Sequence, residues 1–459
     1  MQNSELTIGI SAKIKSNKYD AVALAGCAII AAAVCVAQIS GSTILIALCL
    51  LAFLLFHIWS CIRDMSLSVL LFFLPWSPLL KLYKGGISFF TIALLLSCAI
   101  YFVKNRFSFD TYQIIIPALI AALTLVTKAI GNNSIDKSYM FFLIMLVLFP
   151  CVIKNNKGVF DFWNLTLFFA LGIISAALSA QQVAGYQNIS QYIKVDSYLR
   201  ITRLSGYYGD PNFYSAHITA CLAGVQLILM RERNRLRQVM LLIISLALLY
   251  CGLLSASKSF VVVAACLVLV WIPILLEKSN RSNRFRLIMG IICAVLIMLS
   301  SSAFQELLRI LDDRFSYAAN ISQLTTGRTE IWLRYFNEFS HNALLTLFGE
   351  GFSAVNLYGR ASHNSVIQGI YQFGIIGFPL LCLWMYFMLK SIFVDLKSMK
   401  GLWGSALLMC IGVVLPWMAL DILFFDELFL LPVYAAAGVL YMQSNSNARL
   451  TLQKKMRSR

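Results

Sequence analysis

Histidine is the residue type in this chain best suited to acid–base chemistry, because a neutral imidazole can take up a proton near neutral pH. The chain has four histidines. His363 stands where a long polar stretch gives way to an apolar one, in the sequence Ser-His-Asn-Ser. At such a boundary an imidazole could remove a proton from a substrate hydroxyl. We expect His57 and His217 to lie within apolar segments and His341 to be exposed, so His363 is the candidate base.

Arginine is the second residue type with a chemical use here, because its guanidinium group binds phosphate through two parallel hydrogen bonds. Several arginines, with two lysines, occur in the two longest polar segments or in a short turn. Any one of them could equally be a solvated loop charge or a contact to a lipid headgroup. As a group they suit a diphosphate-bearing ligand at a membrane surface. They are Lys194, Arg200, Arg203, Lys258, Arg309, Arg314, Arg328, Arg334 and Arg360.

Four short motifs surround these candidates. The first, Arg-Leu-Ser-Gly-Tyr-Tyr-Gly-Asp-Pro-Asn at 203–212, carries Asp210 and Asn212 just before an apolar segment. An Asp-Pro-Asn sequence is also a normal helix start, since proline fits the first turn. Asn364 likewise has two interpretations, a residue that orients His363 or the acceptor, or a helix cap. The other motifs are Ser-Ala-Ser-Lys-Ser at 255–259, Thr-Gly-Arg-Thr-Glu-Ile-Trp at 326–332, and Gly-Glu-Gly at 349–351, which is followed by His363 and by Gly-Ile-Ile-Gly at 374–377.

These residues belong to a chain whose composition is that of a membrane protein. Of its 459 residues, 60% are hydrophobic and only 12% are charged, and the mean hydropathy is +0.79. Soluble domains are about 45–50% apolar and about 25% charged. Reading apolar runs of about 20 residues as spans gives about 14 transmembrane helices, with a range of 12–14 because the third run holds two prolines and could be re-entrant. We therefore predict an all-α, polytopic integral membrane protein.

The distribution of charge predicts an orientation. With both termini in the cytoplasm, 24 of the 37 lysines and arginines fall on the cytoplasmic side, and 12 of the 20 acidic residues fall on the outer side. This bias follows the positive-inside rule and accounts for much of the net charge of +17 without a nucleic-acid partner. The 12 cysteines lie within or at the edges of apolar runs and form no paired motif. We therefore expect neither a disulfide framework nor a metal site.

The four motifs, in this order and on the predicted outer side, resemble those of the O-antigen polymerase and O-antigen ligase superfamily, which are membrane-embedded glycosyltransferases. The resemblance covers roughly residues 200–380. Lys258 departs from the family pattern, because arginine is usual at its position. Elsewhere the apolar segments support the resemblance only through the predicted topology.

The apolar runs and the charge bias predict how the chain is organised, and the resemblance implies that the membrane is the bacterial cytoplasmic membrane. Transmembrane helices over 1–180 precede a periplasmic loop over 181–210. Central transmembrane helices over 211–303 then lead to a large periplasmic loop over 304–363, in which an aromatic stripe from Ile331 to Phe339 predicts an amphipathic helix. Further transmembrane helices and a basic cytoplasmic tail fill 364–459, and Gly374 and Gly377 are expected to serve close packing there. We expect one membrane domain overall.

The resemblance also implies a metal-independent glycosyltransferase that needs no cofactor. Its partners would be an undecaprenyl-diphosphate-linked oligosaccharide, an acceptor glycan lipid and membrane lipids, with no nucleic acid; whether a chain-length regulator also binds is left open. His363 would be the catalytic base at the periplasmic face. The residues that the resemblance assigns to substrate binding are Arg203, Arg328, Lys258, Asp210, Asn212 and Asn364.

Three functions are compatible with these features. A polymerase would add glycan to a second lipid-linked repeat unit, and a ligase would move finished glycan onto lipid A-core. Two sizeable outer loops and about 14 spans favour the polymerase, which must hold two lipid-diphosphate substrates. A lipid-sugar transporter or flippase belongs to a different class. Such proteins carry ionisable residues and helix breaks within their spans, whereas the charges here lie mostly at span ends.

Overall fold

Helices dominate the structure, because in hydrocarbon each backbone N–H and C=O must be satisfied within its own segment. The computed structural model contains no strand among the residues it describes, which confirms the all-α class. The described residues are 20–104, 109–131, 137–155, 161–193, 203, 205–278, 281–316, 325, 327–351, 357–392, 402–421 and 426–457.

The helices are numbered here in chain order, leaving the short turns aside. They are α1 (Asp20–Ser40), α2 (Thr43–Ile62), α3 (Ser66–Phe73), α4 (Phe89–Lys104), α5 (Thr111–Gly131), α6 (Lys137–Asn155), α7 (Phe162–Val183), α8 (Pro211–Arg231), α9 (Arg235–Leu254), α10 (Lys258–Lys278), α11 (Arg281–Ser300), α12 (Ser302–Ser316), α13 (Arg328–His341), α14 (Ala343–Phe348), α15 (Ser365–Ile392), α16 (Trp403–Val413) and α17 (Glu427–Arg457). Turns of 3₁₀ helix follow α3 (Leu74–Leu79) and α16 (Leu415–Ala419).

Among the described residues, seven helices are long and apolar enough to cross a membrane, namely α1, α2, α7, α8, α9, α10 and α15. Shorter apolar helices accompany them, including α4, α5, α6 and the first part of α17. The chain is thus a multi-pass membrane protein. The predicted range of 12–14 spans, their orientation and the position of the polar loops relative to the membrane stay predictions.

The third predicted span is a short helix enclosed by its neighbours. All eight residues of α3 are buried. The α-helix ends at Phe73, since Pro75 and Pro78 lack the N–H that its continuation needs. Gly172 of α7 allows a close approach here, because a Cβ at that position would lie 2.2 Å from the carbonyl oxygen of Phe72. The 3₁₀ turn that follows α3 therefore ends inside the bundle, beside the loop at 203–212.

Helix α8 is the central element of the bundle. It packs against α7, α9, α10, α16 and α17, and 17 of its 21 residues are buried. Asp210 caps its first turn, accepting a hydrogen bond from the backbone N–H of Asn212 at 2.8 Å, and Pro211 is the first helical residue. The Asp-Pro-Asn sequence is therefore a helix start at the centre of one end of the bundle.

Helix α15 is interrupted at Gly374, which has φ 67° and ψ 177°. The break releases the carbonyl oxygens of Tyr371 and Gln372, and these accept hydrogen bonds from the backbone N–H groups of Glu350 at 2.7 Å and Gly351 at 3.0 Å. A Cβ at Gly374 would lie 2.2 Å from the Leu347 carbonyl oxygen. Gly374 thus serves close packing, as expected, but it does so at a break that the apolar sequence did not predict.

The aromatic stripe lies on α13, the helix predicted within the large loop. Tyr335 is buried, whereas Phe336 is 52% exposed. Ile331, Trp332 and Phe339 pack with Tyr335 against Leu345 of α14 and against Ile367 and Tyr371 of α15. The stripe is therefore mainly a packing surface, which fixes α13 over the start of α15. A second helix of the loop, α12, was not predicted.

Candidate functional site

The predicted site residues lie at the starts of four helices. Asp210 and Asn212 begin α8, Lys258 begins α10, Arg328 begins α13, and Asn364 precedes the first residue of α15. Because the first backbone N–H groups of a helix point away from its body and carry a partial positive charge, helix starts favour anions. Hydrogen bonds join the start of α8 to that of α10 and join Trp332 of α13 to Ser362 before α15. Arg328 interacts electrostatically with Asp210 and with Asp421, which connects the two pairs. We call the segments 203–212, 255–258, 327–332 and 362–364 the motif cluster.

The first two segments of the motif cluster are joined by two hydrogen bonds. Arg203 is only 8% exposed, and its Nε donates to the carbonyl oxygen of Ser255 at 3.1 Å. Oδ1 of Asn212 accepts from Oγ of Ser257 at 2.7 Å. Between these serines Ala256 has a positive φ of 46°, a conformation that a residue with a Cβ adopts at a cost. The turn between α9 and α10 is therefore held against the start of α8.

Asp421 holds the turn that carries His363. Its Oδ2 accepts from the backbone N–H of His363 at 3.1 Å, and its Oδ1 accepts from the backbone N–H of Asn364 at 3.1 Å and from Oγ of Ser362 at 2.8 Å. These bonds keep His363 at a positive φ of 50°. They compensate for the cost of that conformation, which histidine adopts more readily than most residues.

The imidazole of His363 is both accessible and next to a carboxylate. Its side chain is 36% exposed, and Nδ1 lies 3.9 Å from Oδ2 of Asp421. That distance is too long for a hydrogen bond, but catalytic hydrogen bonds are often long without substrate. The ring nitrogen away from Asp421, Nε2, is the one that can act on a ligand.

Asn364 is the N-cap of α15. Its Oδ1 accepts from the backbone N–H groups of Val366 at 3.0 Å and Ile367 at 3.2 Å, and its Nδ2 donates to the carbonyl oxygen of Met418 at 3.3 Å. Of the two roles considered for Asn364, the structure supports the cap. Its contribution is to shape the turn around His363.

Arg328 lies between the two halves of the motif cluster. Burial lowers the pKa of its guanidinium group, whereas the carboxylates of Asp210 and Asp421 act to raise it. Asp210 belongs to the half with Arg203, and Asp421 belongs to the half with His363. The guanidinium group keeps its positive charge at any working pH. A half-buried cation therefore interacts with the carboxylate that holds the turn of the candidate base.

The other basic residues considered from the sequence are spread more widely. Arg309, Arg334 and Arg360 are exposed, and Arg309 pairs with Glu306 on the same helix at 3.5 Å. Lys258 is half-buried at the start of α10. Lys194, Arg200 and the side chain of Arg314 lie outside the described part of the chain. Of the described arginines, Arg203 and Arg328 are the two that belong to the motif cluster.

The sequence did not predict two acidic residues at this end of the bundle. One is Asp421, which follows the 3₁₀ turn after α16. The other is Glu427, the first residue of α17, which is buried with His217. Nε2 of His217 lies 3.1 Å from Oε1 of Glu427, and the Tyr208 hydroxyl lies 2.8 Å from the same oxygen. In the sequence each of them is a single acidic residue at the edge of an apolar run. Such a residue belongs to no spaced motif, so the sequence does not indicate its partner.

No protein-family model matches the sequence, and no curated protein shows significant sequence similarity to it. The resemblance to the glycosyltransferase superfamily accordingly rests on the four short motifs. The fold adds a separate observation, because Arg328 of the third motif interacts electrostatically with Asp210 of the first, 328 − 210 = 118 positions away.

Proposed function

We propose that the chain is a bacterial surface-polysaccharide polymerase, of the O-antigen or capsule type, in the cytoplasmic membrane. It transfers a glycan from undecaprenyl diphosphate to a lipid-linked repeat unit on the periplasmic face. The observation that carries the proposal is the turn of His363, which is held by Asp421, a carboxylate that also interacts with the half-buried Arg328. An accessible imidazole and a half-buried cation are the two groups that this transfer requires.

The proposed reaction needs one base and one leaving group. A hydroxyl oxygen of the acceptor sugar attacks the anomeric carbon of the donor, and the bond from that carbon to the diphosphate oxygen breaks. Undecaprenyl diphosphate leaves with the electron pair of this bond. Nε2 of His363 takes the hydroxyl proton, and the facing carboxylate of Asp421 stabilises the imidazolium that forms. Because the donor bond is already activated, the step needs no nucleotide.

Negative charge grows on the diphosphate as this bond breaks. Arg328 and Arg203 supply guanidinium groups for it, and Lys258 supplies a point charge. The starts of α8, α10, α13 and α15 add the partial positive charge of helix N-termini. Groups fixed in place before the reaction stabilise such charge without reorganising, and the buried Arg203 is fixed by Ser255.

The test is a reconstitution. Purified protein in lipid is mixed with undecaprenyl-diphosphate-linked repeat units from its host, and the products are separated on a gel. We expect a ladder of longer glycans, which His363→Ala reduces by a factor of about 10²–10⁴. His341→Ala, which alters an exposed histidine at the end of α13, is the matched control and should retain the ladder.

Other outcomes of this reconstitution decide between the alternatives. Absence of a ladder, with transfer appearing once lipid A-core is added, would make the chain an O-antigen ligase that uses the same residues. If verified substrates yield neither product, or if His363→Ala is as active as wild type, the glycosyltransferase proposal is wrong.

Two observations favour a second candidate function, lipid-sugar transport. Glu427 and His217 are ionisable residues buried within the bundle, and α15 is broken at Gly374. Transporters carry such residues and breaks in their spans. The same vesicles distinguish this function, since a transporter moves a labelled lipid-linked sugar between leaflets without lengthening it. We favour the enzyme because Oε1 of Glu427 is engaged by the hydroxyl of Tyr208, in the loop that carries Arg203.

A further inference from the structure

The Tyr208 hydroxyl is the contact between the loop at 203–212 and the interior of the bundle. It lies 2.8 Å from Oε1 of Glu427 and 2.8 Å from the carbonyl oxygen of Leu74. Oγ of Ser77 lies 3.0 Å from it. Because a hydroxyl has one hydrogen and can accept others, Tyr208 can donate to Glu427 or Leu74 while it accepts from Ser77. The ring also meets the imidazole of His217 edge to face, with centroids 5.0 Å apart.

The loop depends on such contacts for its shape. Gly206 and Gly209 have positive φ values of 54° and 68°, so the backbone changes direction on both sides of the tyrosine pair. The neighbouring Tyr207 contacts a different element, with its hydroxyl 2.8 Å from Oγ of Ser179 in α7. The two tyrosines therefore hold the loop at two separate points. Of these, only the Tyr208 contact reaches α17.

Glu427 is placed to receive that contact. It is 2% exposed, and its Oε1 is shared by Tyr208 and His217. The adjacent Asp426 is directed elsewhere, accepting from the hydroxyl of Thr91 at 3.1 Å. Six positions before Glu427, Asp421 holds the turn of His363. Two carboxylates close together in the chain thus bind the two halves of the motif cluster.

We propose that Glu427 is a positioning residue for the anionic donor. Through Tyr208 it holds the loop that carries Arg203, Asp210 and Asn212, as Asp421 holds His363. Asp421 and Glu427 therefore fix the proton acceptor and the anion-binding groups relative to each other. This inference rests on the proposed function for the identity of the ligand, a lipid diphosphate. The holding of the loop itself does not depend on it.

The role requires a hydrogen-bond acceptor and not a charge. Glu427→Gln keeps an acceptor oxygen and removes the charge, whereas Glu427→Leu removes both at similar volume. Tyr208→Phe deletes only the hydroxyl and leaves Glu427 intact, so it serves if Glu427→Leu does not fold. Tyr186→Phe is the control, because it deletes an exposed tyrosine hydroxyl outside the loop. A proton-carrying transporter residue would behave differently, since glutamine cannot replace a titrating group.

The first measurement is hydrogen–deuterium exchange of the peptide that covers 203–212, in protein reconstituted in lipid. Tyr208→Phe and Glu427→Leu should each speed its exchange about tenfold, because each removes a buried hydrogen bond. Glu427→Gln and Tyr186→Phe should stay within about threefold of wild type. The exchange measurement needs no substrate, so it separates a failure of this inference from a failure of the proposed function.

The second measurement is the affinity of the same variants for undecaprenyl diphosphate. We expect about tenfold weaker binding for Tyr208→Phe and for Glu427→Leu. The variant that combines these two substitutions should bind no more weakly than either alone, and Glu427→Gln should bind nearly as well as wild type. The inference is overturned if glutamine is as damaging as leucine, or if Tyr208→Phe leaves both exchange and affinity unchanged. It is also overturned if Tyr186→Phe matches Tyr208→Phe, because the effect would then not depend on the contact with Glu427.

Discussion

Asp421 is the residue whose removal best separates positioning of the base from donor binding. Asparagine at this position turns one acceptor oxygen into a donor, so it loses a bond to the turn of His363 and the charge beside the imidazole. We expect Asp421→Asn to lower kcat about 100-fold and to change KM for the donor less than about threefold, as measured from the initial rate of glycan extension. Asp312→Asn, which alters an exposed acid of α12, is the control. If Asp421→Asn has the same kcat as wild type, the assignment of the catalytic base to this site is contradicted.

Replacing Arg328 tests whether this residue binds the diphosphate of the donor. Lysine keeps the charge but cannot form two parallel hydrogen bonds. We expect Arg328→Lys to raise KM for the lipid-diphosphate donor about tenfold, since loss of one charge-assisted hydrogen bond costs about 1.4 kcal/mol. Arg334→Lys on the same helix is exposed and should leave KM unchanged. Equal KM values for the two variants would contradict a role of Arg328 in donor binding.

Sequence patterns single out candidate site residues that stand in recognisable motifs, and they do not single out acidic residues that stand alone. His363, Arg328 and Asp210 stand in motifs at the ends of apolar runs, so type and position are both informative. Asp421 and Glu427 occur singly beside apolar residues. Their partners lie 58 and 219 positions away, and no local pattern encodes a contact at that distance.

The break in α15 is the feature of an element that is most exposed to mutation. Alanine at Gly374 must adopt φ 67° and places its Cβ 2.2 Å from the Leu347 carbonyl oxygen. We expect Gly374→Ala to cost about 3 kcal/mol, which lowers Tm by about 3 °C in a thermal melt in detergent. Gly185→Ala is the matched control, since no atom lies within 4 Å of a Cβ there. If Gly374→Ala has the same Tm as wild type, α15 can form a continuous helix without the break.

Among the elements, hydropathy predicts where apolar helices occur but not how they are interrupted. A glycine in an apolar run is compatible with a continuous helix. The break becomes stable because Glu350 and Gly351 supply donors to the released carbonyl groups, and that compensation comes from a separate segment. The same reason applies to α12, whose place in the large loop depends on packing against α9 and α11.

The orientation of the whole molecule can be measured directly. The motif cluster stands at the start of α8, and the basic sequence that begins with Arg231 stands at its other end. Positive charge favours the cytoplasm. A membrane-impermeant maleimide added to intact spheroplasts should therefore label Asn337→Cys, in exposed α13, and should not label Arg233→Cys until the membrane is opened. If only Arg233→Cys is labelled in intact spheroplasts, the orientation is the opposite of the predicted one and the motif cluster faces the cytoplasm.

The burial of α8 has a consequence for biogenesis. Among the seven long apolar helices it has the lowest mean hydropathy, 1.5, against 2.8 for α10, and its surroundings are other helices more than lipid. A helix of this kind gains little from entering lipid by itself and much from entering a partly assembled bundle. We therefore expect α8 to leave the translocon together with its neighbours, so that the four helix starts come together only late in assembly.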